Sequence, residues 1–121
     1  GFIADFCSTD LVLASMYRRS IFSLPNLMSR YIAMGIPMAE VVRMSTQAPA
    51  HLMKMDGEIG CLSAGARADI AIFNWIPLHQ TYRDWKGSTF QADMTLKPEM
   101  TIKDGDIVYC APDYIYEKEC Q

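Results

Sequence analysis

The chain begins with Gly1-Phe-Ile-Ala-Asp-Phe-Cys-Ser-Thr-Asp10, a run of aromatic and β-branched residues that predicts a β-strand. Because side chains alternate along a strand, Ser8 and Asp10 share one face and Cys7 the opposite face. Asp10 therefore lies at the carboxyl end of the predicted strand. This position makes it the first candidate for a functional residue.

Two helices and a short third one are predicted after this strand. Over residues 25–34, apolar side chains recur every three or four positions, and Gly35 suits the left-handed conformation that ends a helix. Pro37 suits the first position of a second helix. Pro49 ends that helix and can begin a short one through Met53.

The pattern changes after Gly57 to short strands and turns. Residues 68–73 form an apolar run too short for a helix, while residues 80–85 and 90–96 are weaker strand candidates. Asp104-Gly105 separates two further β-rich runs and predicts a two-residue hairpin turn.

Composition divides the chain near the same point. Residues 1–55 hold five basic and three acidic residues, a net charge of +2, and seven of the nine Met. Residues 56–121 hold six basic and eleven acidic residues, a net charge of −5. The sequence therefore predicts two parts that join near residue 56.

Net charge and hydropathy limit the classes of partner that the protein is expected to bind. The overall net charge of −3 argues against nucleic acid, and no apolar run reaches the length that spans a membrane. Nothing in the sequence resembles a secretion signal, so we expect a cytoplasmic protein with reduced thiols. The four cysteines are too dispersed for a structural zinc site. They are Cys7, Cys61, Cys110 and Cys120.

The residues alone leave the role of Asp10 open. A carboxylate at the end of a strand could bind a metal, or could act as a general base toward a metal-activated water. It could equally cap the segment that follows. His51 and His79 are interpreted as structural histidines, and Asp69 as a turn former, so a metal site built only from this chain is short of ligands.

Six stretches follow one another in a recognisable order along the chain. They are Ala4-Asp-Phe-Cys-Ser-Thr-Asp-Leu11, Leu24-Pro-Asn-Leu-Met-Ser-Arg30, Ala33-Met-Gly-Ile-Pro-Met-Ala-Glu-Val-Val42, Thr46-Gln-Ala-Pro-Ala50, Glu58-Ile-Gly-Cys-Leu-Ser-Ala-Gly-Ala-Arg-Ala-Asp-Ile-Ala-Ile-Phe73 and Leu96-Lys-Pro-Glu-Met-Thr-Ile-Lys-Asp-Gly-Asp-Ile-Val-Tyr109. In this order they resemble the C-terminal end of a metal-dependent amidohydrolase, and the pattern is most similar to that of the dihydroorotase-like deacetylase subgroup.

The resemblance implies an α/β fold that is the C-terminal fragment of a (β/α)8 TIM barrel plus a small β-sandwich subdomain. Residues 1–55 would be barrel strand eight with its following helices, and residues 56–121 the subdomain and C-terminal tail. Two positions depart from the subgroup. Val12 stands where a His is common, and Ala48 stands where an Asn often precedes the proline.

The resemblance also implies the chemistry. Asp10 would be the general base and a metal ligand of an enzyme that cleaves an amide or ester, as a deacetylase or cyclic amidase does. The cofactor would be a divalent metal, and zinc is the metal expected. Most of its ligands would lie outside this chain, so the fragment alone is expected to be inactive. The substrate is expected to be a small molecule. Assembly into a homo-oligomer is left as an open alternative. The alternative is a non-catalytic structural or interaction module derived from such an enzyme.

Overall fold

The computed structural model describes residues 3–10, 12–13, 23–84 and 86–114. Within these residues, three helices precede three strands along the chain. They are α1 (Leu24–Ala33), α2 (Met38–Ser45), α3 (Gln47–Leu52), β1 (Ile70–Arg83), β2 (Thr89–Lys103) and β3 (Asp106–Cys110). No helix of the described part is long and apolar enough to cross a membrane. Gly1, Phe2 and Cys120, which entered the sequence predictions, lie outside the described residues.

The ends of α1 follow from local sequence, and the predicted helix is confirmed one residue nearer the N-terminus. The N–H of Asn26 donates to Ser23 Oγ at 3.3 Å, which satisfies one of the free donors of the first turn. Gly35 adopts a φ of +93°, and its N–H donates to the carbonyl of Ile32 at 2.9 Å. This arrangement is a Schellman-type helix end, which needs a residue that tolerates the left-handed region.

The start of the second helix is confirmed, with Pro37 just before its first residue, but the helix ends at Ser45 and not at Pro49. The third helix begins at Gln47, two residues earlier than the sequence predicts, and Pro49 lies in its first turn. A proline is tolerated there because the first N–H groups of a helix have no intrahelical partner.

The three strands form one antiparallel sheet in the order β1-β2-β3. β1 and β2 are much longer than predicted, because they pair across two irregularities, one of them between Pro77 and Gln80. The predicted hairpin turn is confirmed. Asp104 and Gly105 have φ of +51° and +94°, and Lys103 pairs with Asp106, as a type I′ turn requires.

Two details of the expected fold, the strand over residues 1–10 and the β-sandwich, are not confirmed in the described residues. Residues 3–10 belong to the predicted first strand, yet they pair with no strand of the described chain. A strand forms only when a neighbouring strand pairs with its backbone N–H and C=O groups. The described strands also form a single sheet rather than a sandwich, and α1, not a second sheet, packs on β2. Neither a barrel nor a β-sandwich is complete in the described residues.

The helical part and the sheet are joined by buried polar contacts. Ser29, which is fully buried, accepts from the N–H of Leu96 at 2.9 Å and from the hydroxyl of Thr95 at 3.3 Å. Its own hydroxyl donates to the carbonyl of Pro25 at 2.7 Å. The buried apolar side chains of the described residues are Leu27, Met28, Val41, Met44, Ala50, Tyr82, Met100 and Ala111.

Candidate functional site

Residues 3–10 run along the carboxyl end of α2 and are held there through Cys7. The N–H of Cys7 donates to the carbonyl of Met44 at 3.2 Å, and the Cys7 thiol lies 3.1 Å from Ser45 Oγ. Ser45 Oγ in turn donates to the carbonyl of Val41 at 2.9 Å. The segment is therefore fixed to a helix whose inward residues are fully buried.

Asp10 lies three residues beyond this anchor, with its side chain exposed. Its φ of +47° is in the left-handed region, which Asp tolerates better than most residues, and its N–H lies 3.4 Å from Ser8 Oγ. From Phe6 to Asp10, exposed and half-buried residues alternate. The predicted two-faced character of the segment is thus present, although no strand pairs with it in the described chain.

A cleft of about 690 Å³ opens beside the same segment. Its apolar wall includes Phe6, Leu52 and Ile59, and its polar lining includes Asp5 and Arg43. The Arg43 guanidinium is bound to Glu40 at 2.7 Å, and this hydrogen bond holds the pKa of the Glu40 carboxyl below its usual value. Asp10 does not line the cleft, so the cleft and the candidate base are separate features.

Both histidines are paired with aspartates on the surface. His51 Nδ1 lies 3.0 Å from Asp56 Oδ1, and His79 Nδ1 lies 2.7 Å from Asp93 Oδ1. No group of three or more His, Cys, Asp or Glu side chains that could hold a metal exists among the described residues. Asp10 alone does not form a metal site, so the described residues supply a single candidate ligand to the metal centre that the resemblance implies.

Asp69 has the structural role that the sequence predicts. Its carboxylate accepts from Lys103 Nζ at 2.8 Å and from the N–H of Asp104 at 2.9 Å, where it holds the β2–β3 turn. The hydrogen bond from Lys103, followed by that from Asp104, lowers the pKa of the Asp69 carboxyl. This carboxylate belongs to the sheet and not to the segment that ends at Asp10.

Sequence reasoning missed two polar roles in this part of the protein. The sequence predicts only a reduced thiol at Cys7, and in the structure this thiol takes part in a hydrogen bond. Glu99 is 2% exposed, and its Oε1 accepts from Asn74 Nδ2 at 2.9 Å and lies 3.3 Å from Lys97 Nζ. Neither role has a local signal, because Ser45 lies 38 residues from Cys7 and Asn74 lies 25 residues from Glu99.

Comparison with known proteins identifies the family to which the chain belongs. A model of the amidohydrolase family matches residues 26–109, more than half of the chain. The chain belongs to this family, and the resemblance stated from the sequence is confirmed. The family match begins after Asp10 and does not include it.

Two curated proteins are similar to parts of the chain. The chain is 33% identical over 70 residues to adenine deaminase 4 of Rhizobium meliloti, which covers 58% of this chain and 11% of that protein. It is 28% identical over 107 residues to a deacetylase of Enterococcus faecalis, which covers 88% of this chain and 29% of that protein. The chain thus spans less than a third of the length of either relative.

Solved structures agree with the fold. An adenine deaminase superposes with a TM-score of 0.79 at 29% identity, over 89% of this chain and 29% of that one. A dihydroorotase superposes with a TM-score of 0.78 at 24% identity, over 88% of this chain and 28% of that one, and at this identity it shows the fold alone.

Proposed function

We propose that these residues form the C-terminal portion of a longer amidohydrolase that cleaves an amide or ester, in the manner of a deacetylase or cyclic amidase. Family membership supports the hydrolase class. The deacetylase alignment covers 88% of this chain but 29% of that protein, which supports a place within a longer polypeptide.

The observation that carries the proposal is the position of Asp10, an exposed carboxylate at the end of a segment anchored to the carboxyl end of α2. In this role Asp10 accepts a proton from the water that attacks the carbonyl carbon. It then returns that proton to the nitrogen or oxygen of the leaving group. A carboxylate suits both steps, provided that its geometry is fixed with respect to the water.

We also propose that the enzyme depends on a divalent metal, which we expect to be zinc. The ligands of this metal come mainly from other parts of the longer polypeptide. The family as a whole supports a metal, and the described residues contribute Asp10 as a single candidate ligand. A small molecule is the proposed substrate.

The test is the substitution Asp10→Asn in the longer polypeptide, assayed by release of acetate from N-acetyl amino acids and aryl acetates. The amide keeps the size of the side chain but does not accept the proton, so kcat should fall by roughly a hundredfold or more, the usual contribution of a general base. Asp5→Asn is the matched control, because Asp5 is an exposed carboxylate of the same segment. Turnover of Asp10→Asn within twofold of the parent refutes the assignment.

The non-catalytic alternative has an observation of its own. Large apolar side chains near Asp10 are exposed, among them Phe6 at 47%, Val12 at 55% and Leu13 at 75%. Such a surface is typical of a region that another polypeptide covers. A longer polypeptide that forms a defined complex yet releases no acetate from any probe would favour the module over the enzyme.

A further inference from the structure

The contact between Cys7 and Ser45 joins the segment that carries Asp10 to α2, whose inward residues Val41 and Met44 are buried. We propose that Cys7 is a positioning residue, whose thiol donates to Ser45 Oγ and thereby fixes the approach of Asp10. This inference rests on the proposed function, because it assigns Cys7 a task only if Asp10 acts on a substrate.

The direction of the hydrogen bond follows from the neighbours. A serine hydroxyl has one proton, and that of Ser45 is donated to the carbonyl of Val41 at 2.9 Å. The 3.1 Å contact with Cys7 Sγ therefore requires the thiol proton to lie between sulfur and oxygen. The Cys7 thiol is the donor, and Ser45 Oγ is the acceptor.

The acceptor stands on a rigid platform. Val41 is 0% exposed and Met44 is 1% exposed, so the turn of α2 that carries Ser45 is packed in the core. Cys7 contacts this turn twice, through its thiol and through its N–H, which donates to the carbonyl of Met44 at 3.2 Å. A pair of bonds from one residue fixes both the position and the rotation of the segment there.

The anchor is close enough to control Asp10. Three residues span at most roughly 10 Å, even when the chain is fully extended. The half-buried Thr9 and the left-handed Asp10 follow, so a shift at Cys7 is transmitted over a short stretch of backbone. A misplaced general base loses rate because proton transfer depends on hydrogen-bond geometry with the water.

The first arm of the experiment measures amide hydrogen exchange over residues 3–10 in the 121-residue chain. Cys7→Ala should speed exchange there by roughly threefold to tenfold, the effect expected for loss of one hydrogen bond, and should leave exchange in the sheet unchanged. Cys7→Ser keeps a donor and should restore most of the protection. Cys110→Ala is the matched control, because Cys110 is also a half-buried thiol but lies on β3.

Ser45→Ala removes the acceptor and should speed exchange over the same residues. The double variant with Cys7→Ala should exchange within about twofold of the faster single variant, because the two changes remove one shared contact. Exchange over residues 3–10 that changes less than twofold in Cys7→Ala overturns the inference. So does equal acceleration in the Cys110→Ala control.

The second arm measures hydrolysis in the longer polypeptide with N-acetyl amino acids. Cys7→Ala should lower kcat by about tenfold with KM unchanged, and Cys7→Ser should restore kcat. A purely structural role would instead lower the amount of folded enzyme in both Cys7 variants. Asp10→Asn separates the two proposals. Normal turnover in that variant overturns the proposed function, while a loss with Asp10→Asn and none with Cys7→Ala overturns the positioning role alone.

Discussion

The guanidinium of Arg30 lies over the ring of Tyr82, with its Cζ 5.3 Å from the ring centroid. Arg30 is 8% exposed and Tyr82 is 4% exposed, so the contact is shielded from water. Arg30 Nη2 also donates to the backbone carbonyl of Arg83. One side chain of α1 therefore holds the far end of β1 through a cation–π contact and a hydrogen bond.

We predict that Arg30→Ala lowers the free energy of unfolding by about 2–3 kcal/mol, because it removes a buried cation–π contact and a charge-assisted hydrogen bond. Arg30→Lys keeps the charge but not the planar group, and should lose about half as much. Urea denaturation followed by circular dichroism measures both. A loss below about 0.5 kcal/mol for Arg30→Ala, the range of a surface substitution, contradicts the prediction.

We predict that Ser29→Ala lowers the free energy of unfolding by about 1–3 kcal/mol, because it leaves the N–H of Leu96 and the hydroxyl of Thr95 without their acceptor. Ser63→Ala is the control, since Ser63 is exposed and should change stability by no more than about 0.5 kcal/mol. Equal midpoints of chemical denaturation for the two variants would show that Ser29 does not join α1 to the sheet.

These two contacts show which part of the fold the sequence could predict. The turn at Asp104-Gly105 and the helix end at Gly35 were predictable, because each depends on backbone conformations that a few adjacent residues determine. The burial of Arg30 and the bonds of Ser29 were not, because their partners lie 53 and about 66 residues further along the chain. Local sequence patterns do not report such pairings.

The candidate site also contains features that the sequence could predict and features that it could not. Asp10 could be singled out because an acidic residue follows an apolar segment, and the exposure pattern around it was expected from side-chain alternation. Residues 3–10 pair with no strand of the described chain, because strand pairing depends on neighbours that the segment itself does not supply. The anchor through Cys7 depends on Ser45, 38 residues away, and was missed for that reason.

We predict that Gly60→Ala strongly destabilises the loop that packs on α3. A Cβ at this position would lie 2.5 Å from the carbonyl oxygen of Thr46 and 2.8 Å from its carbonyl carbon, and φ is +70°. The loss should exceed that of Gly65→Ala, where φ is also positive at +91° but the added Cβ meets open space.

The comparison of these two variants separates collision from backbone strain. Strain in the left-handed region costs about 1–2 kcal/mol for a residue with a side chain, and the collision adds to it only at Gly60. Thermal unfolding of both variants measures the difference. Equal melting temperatures would mean that the backbone near Thr46 yields without cost.

We predict that Asp69 contributes to the loss of stability in acid. Its pKa in the folded protein lies below the ordinary value of 3.8, because Lys103 and the N–H of Asp104 hydrogen-bond the charged form. The stabilisation is therefore fully present above pH 3.8 and is lost as the pH falls through the lower, folded-state pKa. Asp69→Asn should be less stable than the parent at neutral pH, and the gap should narrow at about pH 2.

The control for this experiment is Asp106→Asn, on the other side of the same turn. Other carboxylates also titrate in acid, so the informative quantity is the gap between parent and variant at each pH. A gap that stays constant from neutral pH to about pH 2 would mean that the Asp69 carboxylate has the same pKa in the folded and unfolded chain.

Finally, we predict that the 121-residue chain binds no zinc stoichiometrically and hydrolyses no acyl ester by itself. Catalytic zinc takes three protein ligands in addition to water, and the described residues contain no group of three candidate ligands. A metal that binds the folded state raises the free energy of unfolding by about 2.7 kcal/mol at a hundred times its Kd. Without a zinc site, micromolar zinc should therefore leave the melting temperature of the chain unchanged.

Asp10→Asn provides the comparison. If the chain has no zinc site, adding zinc should change the melting temperature of neither the parent nor this variant. A zinc-dependent rise in melting temperature that Asp10→Asn abolishes, together with release of acetate from an aryl acetate, would show that these residues hold the metal and perform the chemistry without the rest of a longer enzyme.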